Sequence, residues 1–444
     1  MSGLALTLFI FAMLPLAFRR PWIGILLWVW AGVMNPHRLT WGFAYTMPFA
    51  MMIAIVTLLG ILFSRDPKHF PVTPLTVVLL LLFGWMHVSL LFALDIGASL
   101  EMWNKVFKIF LMVFVTMYVL HSQQHIKWLL LVVTASIAFY GIKGGLFTLR
   151  SGGTFRVWGP AGSYIAENNA LAVAVIMTVP LLRYYQLQAK QQWVKILMII
   201  AMMLCAASAL GSQSRGALVA ITGMLAFLWL KGKNKVITLV LLALAVPVAY
   251  NFMPQSWHER METIANYQED GSAMGRLDSW EGAINLANSR ITGGGFQIYR
   301  PHLLGMYTPS GESRSAHSIW FQFLGEHGYP GLILFALFWI LVWREGSWLI
   351  RNCKDRKGWS WAVDMARMIQ VSLVGYFTGG AFLQLGYYDV PYYLAVVLLL
   401  TRVLVQKEIE SAEGRDWFRR PLSRPSMRPI APPATLPRPT GTAT

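Results

Sequence analysis

Charged residues are scarce in this chain. Asp, Glu, Lys and Arg make up 13% of its 444 residues, whereas 56% are hydrophobic. An ordinary soluble domain carries about 25% charged residues, so the composition excludes that class of protein. The mean hydropathy of +0.51 places the chain in a membrane.

Cysteine is almost absent as well. Cys205 lies inside an apolar run and Cys353 in a basic connector, and two thiols in such different surroundings predict neither a disulfide nor a thiolate metal site. The histidines of the C-terminal half match no common metal-ligand spacing, and the carboxylates near them are scattered. We therefore expect no metal and no cofactor.

Acidic residues are fewer than basic residues. Twenty Asp and Glu face 37 Lys and Arg, which gives a net charge of +17. Such a balance also occurs in nucleic-acid-binding proteins. Here, however, Lys and Arg concentrate in short connectors and in the C-terminal tail, where membrane topology and anionic lipid headgroups favour them. We expect membrane lipids as partners and no nucleic acid.

Long apolar runs, by contrast, are abundant. A helix needs about 20 apolar residues to cross a hydrocarbon core of about 30 Å, and no alternating pattern of a barrel is visible. The sequence predicts an all-α polytopic membrane protein with about twelve transmembrane helices. Runs 4–18 and 22–36 are short, so they form either two thin helices or one span plus a partly inserted piece. The longer runs are 43–63, 74–95, 103–120, 127–147, 168–188, 193–211, 215–231, 235–252, 318–345, 362–386 and 388–405.

The connectors predict an orientation. Basic residues fall on alternate turns, and the bias of Lys and Arg towards the cytoplasm places those turns inside. The opposite turns carry residues 149–167 and the long segment 253–317, where an active site is expected. No small-residue cleavage site follows the first run, so the start is expected to be retained. The predicted organisation is an N-terminal transmembrane bundle at 1–252, a large periplasmic loop containing helices at 253–317, C-terminal transmembrane helices at 318–405 and a disordered, Pro/Arg-rich cytoplasmic tail at 406–444.

Two side chains near the end of the long loop are candidates for chemistry. His317 stands where the polar loop re-enters the membrane, and an imidazole there either titrates near neutral pH as a base or only hydrogen-bonds a helix end. Glu326, with His327 beside it, lies in the apolar face of the next span and needs partners. For Glu326 and His327 we favour a structural pair.

Three arginines are candidates for binding an anion. Arg215 opens a span on the outer side, against the usual charge bias, and its planar guanidinium suits either diphosphate oxygens or a structural ion pair. Arg156 and Asn168 form a second outer cluster. Arg276 precedes Trp280 by one turn of a helix predicted from Ser272 to about Asn288.

A glycine run follows that predicted helix. Gly293, Gly294 and Gly295 allow backbone conformations with positive φ. The run forms either a plain loop, which we favour, or a close backbone approach to a ligand.

Three segments of the sequence stand out together. They are Ser214-Arg215-Gly216, the stretch Gly275-Arg276-Leu277 with Trp280, Ala283 and Gly293 to Phe296, and the segment from His317-Ser318 through Glu326-x-Gly328-x-x-Gly331-Leu332. In these segments the sequence resembles the O-antigen ligase and polymerase superfamily of bacterial envelope proteins. The N-terminal Asn35-Pro36-His37-Arg38 is similar to the variant ligases associated with exosortase systems, so the resemblance spans about residues 5 to 400.

The resemblance implies a GT-C-type glycosyltransferase of the bacterial inner membrane whose active site faces the periplasm. It implies His317 as the base and arginines that hold the diphosphate, namely Arg215 and Arg276, with Arg156 and Asn168 carried over less directly. Trp280 and Glu326 are expected in supporting roles. Ser318 stands where many relatives have Asn, so a role for that neighbour does not carry over.

The expected reaction follows from the same resemblance. The donor would be an undecaprenyl-diphosphate-linked glycan and the acceptor the outer-core sugar of lipid A–core, joined by metal-independent inverting transfer into lipopolysaccharide. An O-antigen polymerase and a protein O-oligosaccharyltransferase remain alternatives. A transporter of lipid-linked sugar would need charges at mid-membrane and internal repeats, and beyond Lys105 and Lys108 within one span the sequence offers neither.

Overall fold

The computed structural model describes residues 2–231, 235–262 and 271–419, and these residues form helices and connectors without a strand. Seven helices in these ranges are long and apolar enough to cross a membrane, which confirms an all-α polytopic membrane protein. The predicted total of about twelve spans stays a prediction. The helices are α1 Gly3–Arg19, α2 Pro21–Met34, α3 Phe49–Phe63, α4 Pro74–Leu91, α5 Ile96–Val119, α6 Gln123–Arg150, α7 Asn168–Gln188, α8 Gln192–Gly211, α9 Arg215–Lys231, α10 Lys235–Phe252, α11 Gln255–Glu262, α12 Gly271–Ser289, α13 Pro301–Leu304, α14 Ile319–Cys353, α15 Ser360–Gly380 and α16 Asp389–Arg419.

The first two apolar runs are two separate short helices. Arg20 leaves helical geometry, with φ −132° and ψ 87°, and Pro21 starts α2, because proline fits the first position of a helix. Both helices pack against α3: a Cβ on Gly24 would lie 2.2 Å from the hydroxyl of Thr57, and one on Gly60 would lie 2.4 Å from the carbonyl oxygen of Phe18. Of the two arrangements open from the sequence, the structure has the pair of thin helices.

Three connectors with basic residues in them or beside them meet at one end of the bundle. The Lys127 ammonium lies 4.9 Å from the centre of the Trp361 ring, and Gln188 donates its amide to Asp364 at 3.0 Å. The start of α6, the end of α7 and the start of α15 therefore share one end. The segment after α6 lies at the other end, because Gln213 donates to the carbonyl of Gly153 at 3.0 Å.

The glycine run packs against protein backbone. Gly294 N–H donates to the carbonyl of Gly325, and Gly295 N–H to that of Glu326, both at 2.9 Å. At this point α14 is broken, since Gly328 has φ 65° and ψ −170°. The close approach that glycine permits is thus made to the opening turns of α14, as part of the fold.

The last helix extends beyond the predicted boundary. α16 runs to Arg419, whereas the helix was predicted from the sequence to end at 405, with a disordered tail from 406. Residues 406–419 are rich in Glu, Gln, Lys, Ala and Arg, which favour helix, and Gln406 donates to Glu410 one turn later at 3.0 Å. Residues 420–444, which hold the Pro/Arg repeats, lie outside the described residues.

Candidate functional site

A cavity of about 570 Å³ opens where the long loop returns to the bundle. Two of the predicted site residues, His317 and Glu326, line it. The start of α7, the loop before α13, the start of α14 and the turn before α16 contribute the walls. The other polar lining side chains include Tyr164, Glu167, Gln297, Arg300, Gln322 and Gln384.

His317 is held in place by α12. Trp280 donates its indole N–H to the carbonyl of Ala316 at 2.6 Å, and the Trp280 ring stacks on Phe321 with centroids 4.7 Å apart. His317 itself is half-buried and has φ 40°. Burial, and secondarily the positive charge of Arg276, lower the pKa of the imidazole to about 4. The ring is therefore neutral at physiological pH, and Arg276 lies close enough to act on it.

Glu326 lies at the buried side of the cavity, with 1% of its surface exposed. Its Oε1 accepts the backbone N–H of Gln297 at 2.9 Å, and its Oε2 accepts from the hydroxyl of Tyr387 and, at 3.5 Å, from Gln322. A buried carboxyl costs free energy unless it is hydrogen-bonded, and these contacts reduce that cost. They also fix the loop residue Gln297 at the cavity wall.

His327 joins the same network from the other side. Its Nε2 lies 2.6 Å from the hydroxyl of Tyr387, and its Nδ1 lies 2.5 Å from the hydroxyl of Ser89. Glu326 and His327 are thus connected through Tyr387. The network links α4, α14 and the turn before α16 next to the cavity.

Arg156, Asn168 and Arg215 form a second group around the turn between α8 and α9. Asn168 donates its amide to the carbonyl of Ser212 at 2.8 Å, and Arg156 Nε donates to Gln213 Oε1 at 3.3 Å. Gln213 has φ 52°, so the turn is sharp. Arg215 follows as the half-buried first residue of α9.

Ser214 caps α9. Its hydroxyl accepts the N–H of Ala217 at 3.1 Å, which satisfies one donor of the helix start. The cap fixes where Arg215 leaves the backbone. None of the three residues in this group lines the cavity, and the group adjoins it through Asn168, which follows the lining residue Glu167.

Arg300 lines the cavity and was not predicted from the sequence as a site residue. Its guanidinium lies 3.6 Å from Asp95 and donates to Gln297 at 2.8 Å. Its side chain remains 37% exposed, so it presents positive charge to the cavity. Asp95 lies at the start of α5, far away in sequence, and no local pattern marks the pair.

The carboxylates and imidazoles of the site are dispersed. Within residues 2–231, 235–262 and 271–419, no group of three or more His, Cys, Asp or Glu side chains is arranged to hold a metal ion. The positive charge of Arg276 acts on His317, and Arg300 lines the same cavity; guanidinium groups suit an anionic ligand.

Two family models match the chain. Residues 200–336 match the family described as O-Antigen ligase, and residues 1–192 match a family of unknown function, DUF5935. No curated protein matches the chain. The first match runs from α8 into α14 and includes Arg215, Arg276, Trp280, His317 and Glu326, whereas the second includes Arg156 and Asn168.

Proposed function

We propose that this chain, which carries an O-antigen ligase domain over residues 200–336, transfers a glycan from undecaprenyl diphosphate to the outer-core sugar of lipid A–core, forming lipopolysaccharide. One observation carries the proposal most strongly. Within that domain, a neutral imidazole lines a polar cavity and has a guanidinium beside it. A base and a cation at one opening suit displacement of an anionic leaving group.

His317 is the base in this proposal. Its neutral Nε2 or Nδ1 takes the proton from the acceptor hydroxyl as the hydroxyl oxygen bonds to the anomeric carbon. The bond from that carbon to the diphosphate oxygen breaks at the same time, and undecaprenyl diphosphate leaves with the electron pair. Attack from the face opposite the leaving group inverts the anomeric configuration. The lowered pKa of His317 keeps the imidazole in its proton-accepting form at neutral pH.

The arginines hold the diphosphate. Arg276 acts on His317 electrostatically, so an anion bound to Arg276 also lies near the base. Arg215 and Arg156 lie around the turn between α8 and α9, which Asn168, the residue after the lining residue Glu167, contacts. Guanidinium groups bind phosphate oxygens in pairs and stabilise the charge that develops as the leaving group departs.

The polar lining of the cavity suits sugar hydroxyls. A volume of about 570 Å³ lies within the usual range of ligand sites, about 300–1,000 Å³. Gln297 and Gln384 supply amide groups to this wall, and Glu326 and Trp280 support it from behind.

We place the end of the bundle that holds this cavity, with the loop 253–317, in the periplasm and the tail in the cytoplasm, because the basic connectors meet at the opposite end.

Transfer by purified protein tests the proposal directly. The full chain would be reconstituted with carrier-linked glycan and with lipid A–core, and product would be measured for the native protein and for His317→Ala. Loss of the base should lower the rate by about 10²–10⁴-fold. His302→Ala is the matched control, since His302 is an exposed histidine of the same loop. Native rates in His317→Ala would remove the base assignment.

The acceptor is tested in the same assay. A second carrier-linked glycan as acceptor reports a polymerase, and a Ser- or Thr-containing peptide reports a protein O-oligosaccharyltransferase. In cells, a deletion strain that loses all lipopolysaccharide ladders supports the ligase, whereas a strain that retains a single repeat supports the polymerase.

For the transporter alternative, Lys105 lies on the exposed side of α5, paired with Glu101 at 3.3 Å, and its replacement by Gln serves as a transport control.

A further inference from the structure

A second cavity, of about 580 Å³, lies between α9, α14 and α15. It sits at the end of the bundle opposite His317. Arg351, one of its lining residues, is near the end of α14, about 35 Å along the helix from the break at Gly328 at 1.5 Å per residue. That distance exceeds the hydrocarbon core of about 30 Å, so the cavity opens at the far membrane surface and does not belong to the transfer site.

The walls of this cavity are mostly apolar. Phe227 of α9 and Trp343 of α14 meet edge to face with centroids 5.7 Å apart, and Leu228, Ile350 and Met368 extend the apolar surface. Gln370 closes the cavity towards the core, because its amide donates to the carbonyl of Trp343 at 3.1 Å and to Ser347 at 3.0 Å. The cavity is therefore an apolar groove that is closed on the side facing the core.

The rim of the groove is cationic. Lys231 at the end of α9, Arg351 near the end of α14 and Arg367 in α15 all line it, and none of its described lining residues is a carboxylate. The three side chains are exposed. Three cations around one opening repel each other unless an anion lies between them.

The carboxylates near these cations in sequence lie outside the lining of the groove. Glu345, on the same helix as Arg351, pairs with Arg402 of α16 at 2.7 Å. Asp364 of α15 accepts from Gln188 of α7 at 3.0 Å. Asp355, in the turn after α14, is outside the lining of the groove. Among the residues that the structure describes, the lining of this opening therefore holds three cations and no carboxylate.

We propose that this groove, lined by Phe227, Trp343, Lys231, Arg351 and Arg367, binds an anionic phospholipid of the adjacent leaflet. The phosphate lies among the three cations, and an acyl chain lies along the Phe227 and Trp343 wall. Basic pockets between transmembrane helices bind acidic headgroups in this way. A soluble phosphate would leave the apolar wall uncovered, so the occupant is a diacyl lipid.

Lipid binding can be measured on the intact protein. Native mass spectrometry of the full chain in detergent would follow adducts with added phosphatidylglycerol, with phosphatidylcholine as the uncharged comparison and with inorganic phosphate as competitor. We expect phosphatidylglycerol adducts that survive activation, few phosphatidylcholine adducts and no displacement by millimolar phosphate. Equal retention of both lipids, or displacement by phosphate alone, would overturn the proposal.

A pair of double variants locates the site. Arg351→Gln with Arg367→Gln should weaken phosphatidylglycerol binding roughly 30-fold, which corresponds to two cations at about 1 kcal/mol each. Arg356→Gln with Lys357→Gln removes the same charge from exposed positions in the neighbouring turn and should leave binding unchanged. If the first variant does not fold, Lys231→Glu at the exposed end of α9 replaces it with the same expectation. Equal loss in both double variants would show a general charge effect and refute the groove.

Discussion

Trp280 donates its indole N–H to the backbone carbonyl of Ala316 at 2.6 Å. The bond ties the loop helix α12 to the residue immediately before His317. His317 has φ 40°, a backbone region that non-glycine residues rarely occupy without support from their surroundings. The position of the imidazole therefore depends on α12 as well as on α14.

Trp280→Phe should slow transfer while leaving the fold intact. Phenylalanine keeps the stacking surface against Phe321 but removes the N–H that fixes Ala316. We expect a fall in kcat of about 10–100-fold, the usual effect of a small misplacement of a reacting group. Transfer rate and thermal unfolding would be measured together, with Trp41→Phe, 88% exposed, as control. Equal kcat values for the two variants would show that the Trp280 bond does not position the base.

The pH profile should report the environment of His317. Only the neutral imidazole accepts a proton, and burial with Arg276 lowers its pKa to about 4. Activity should therefore persist as pH falls through 6.5, the ordinary value, and be lost as pH falls through about 4. Arg276→Gln removes the smaller of the two causes, so the acid limb of kcat/KM should move to higher pH.

Arg150→Gln provides the control for that shift. Arg150 is an exposed cation at the end of α6, and its removal should lower the overall charge without moving the acid limb. A native profile that already falls near pH 6.5 would contradict a buried, neutral base. An identical profile in Arg276→Gln would show that this arginine does not act on His317.

Local patterns predicted the helical membrane architecture and the position of His317 at the end of the long loop. The length of an apolar run and the boundary between a polar loop and an apolar helix depend on adjacent residues, so both can be predicted from the sequence. Tyr387 joins Glu326 to His327, and Arg300 pairs with Asp95, across long separations that no local spacing reveals. The glycine run was also recognised in the sequence, but its backbone contact with α14 was not predicted.

Glu326→Ala should destabilise the protein. The carboxylate is 1% exposed and accepts from Gln297 N–H and from the Tyr387 hydroxyl. Its removal would leave the Gln297 N–H without this acceptor, whereas Tyr387 keeps His327 as a partner. The loss of one such bond costs about 1–3 kcal/mol, so we expect a loss of that size and a lower midpoint of thermal unfolding. Glu167→Ala removes an exposed carboxylate from the same cavity and should unfold like the native protein. Matching unfolding midpoints for the two variants would mean that the Glu326 network contributes little stability.

The break in α14 offers the sharpest test of the loop packing. Gly328 has φ 65° and ψ −170°, a conformation that is essentially restricted to glycine, and a Cβ there would lie 2.1 Å from the carbonyl oxygen of Ile291. Gly328→Ala should therefore push the loop off α14, abolish transfer and reduce the yield of folded protein. Gly84→Ala is the matched control, because Gly84 is an exposed residue of α4 with nothing within 4 Å of an added Cβ. Limited proteolysis of the loop would separate the outcomes, since faster cleavage in Gly328→Ala but not in Gly84→Ala is expected from loss of this contact. Unchanged cleavage and transfer in Gly328→Ala would show that the glycine run does not rest on α14.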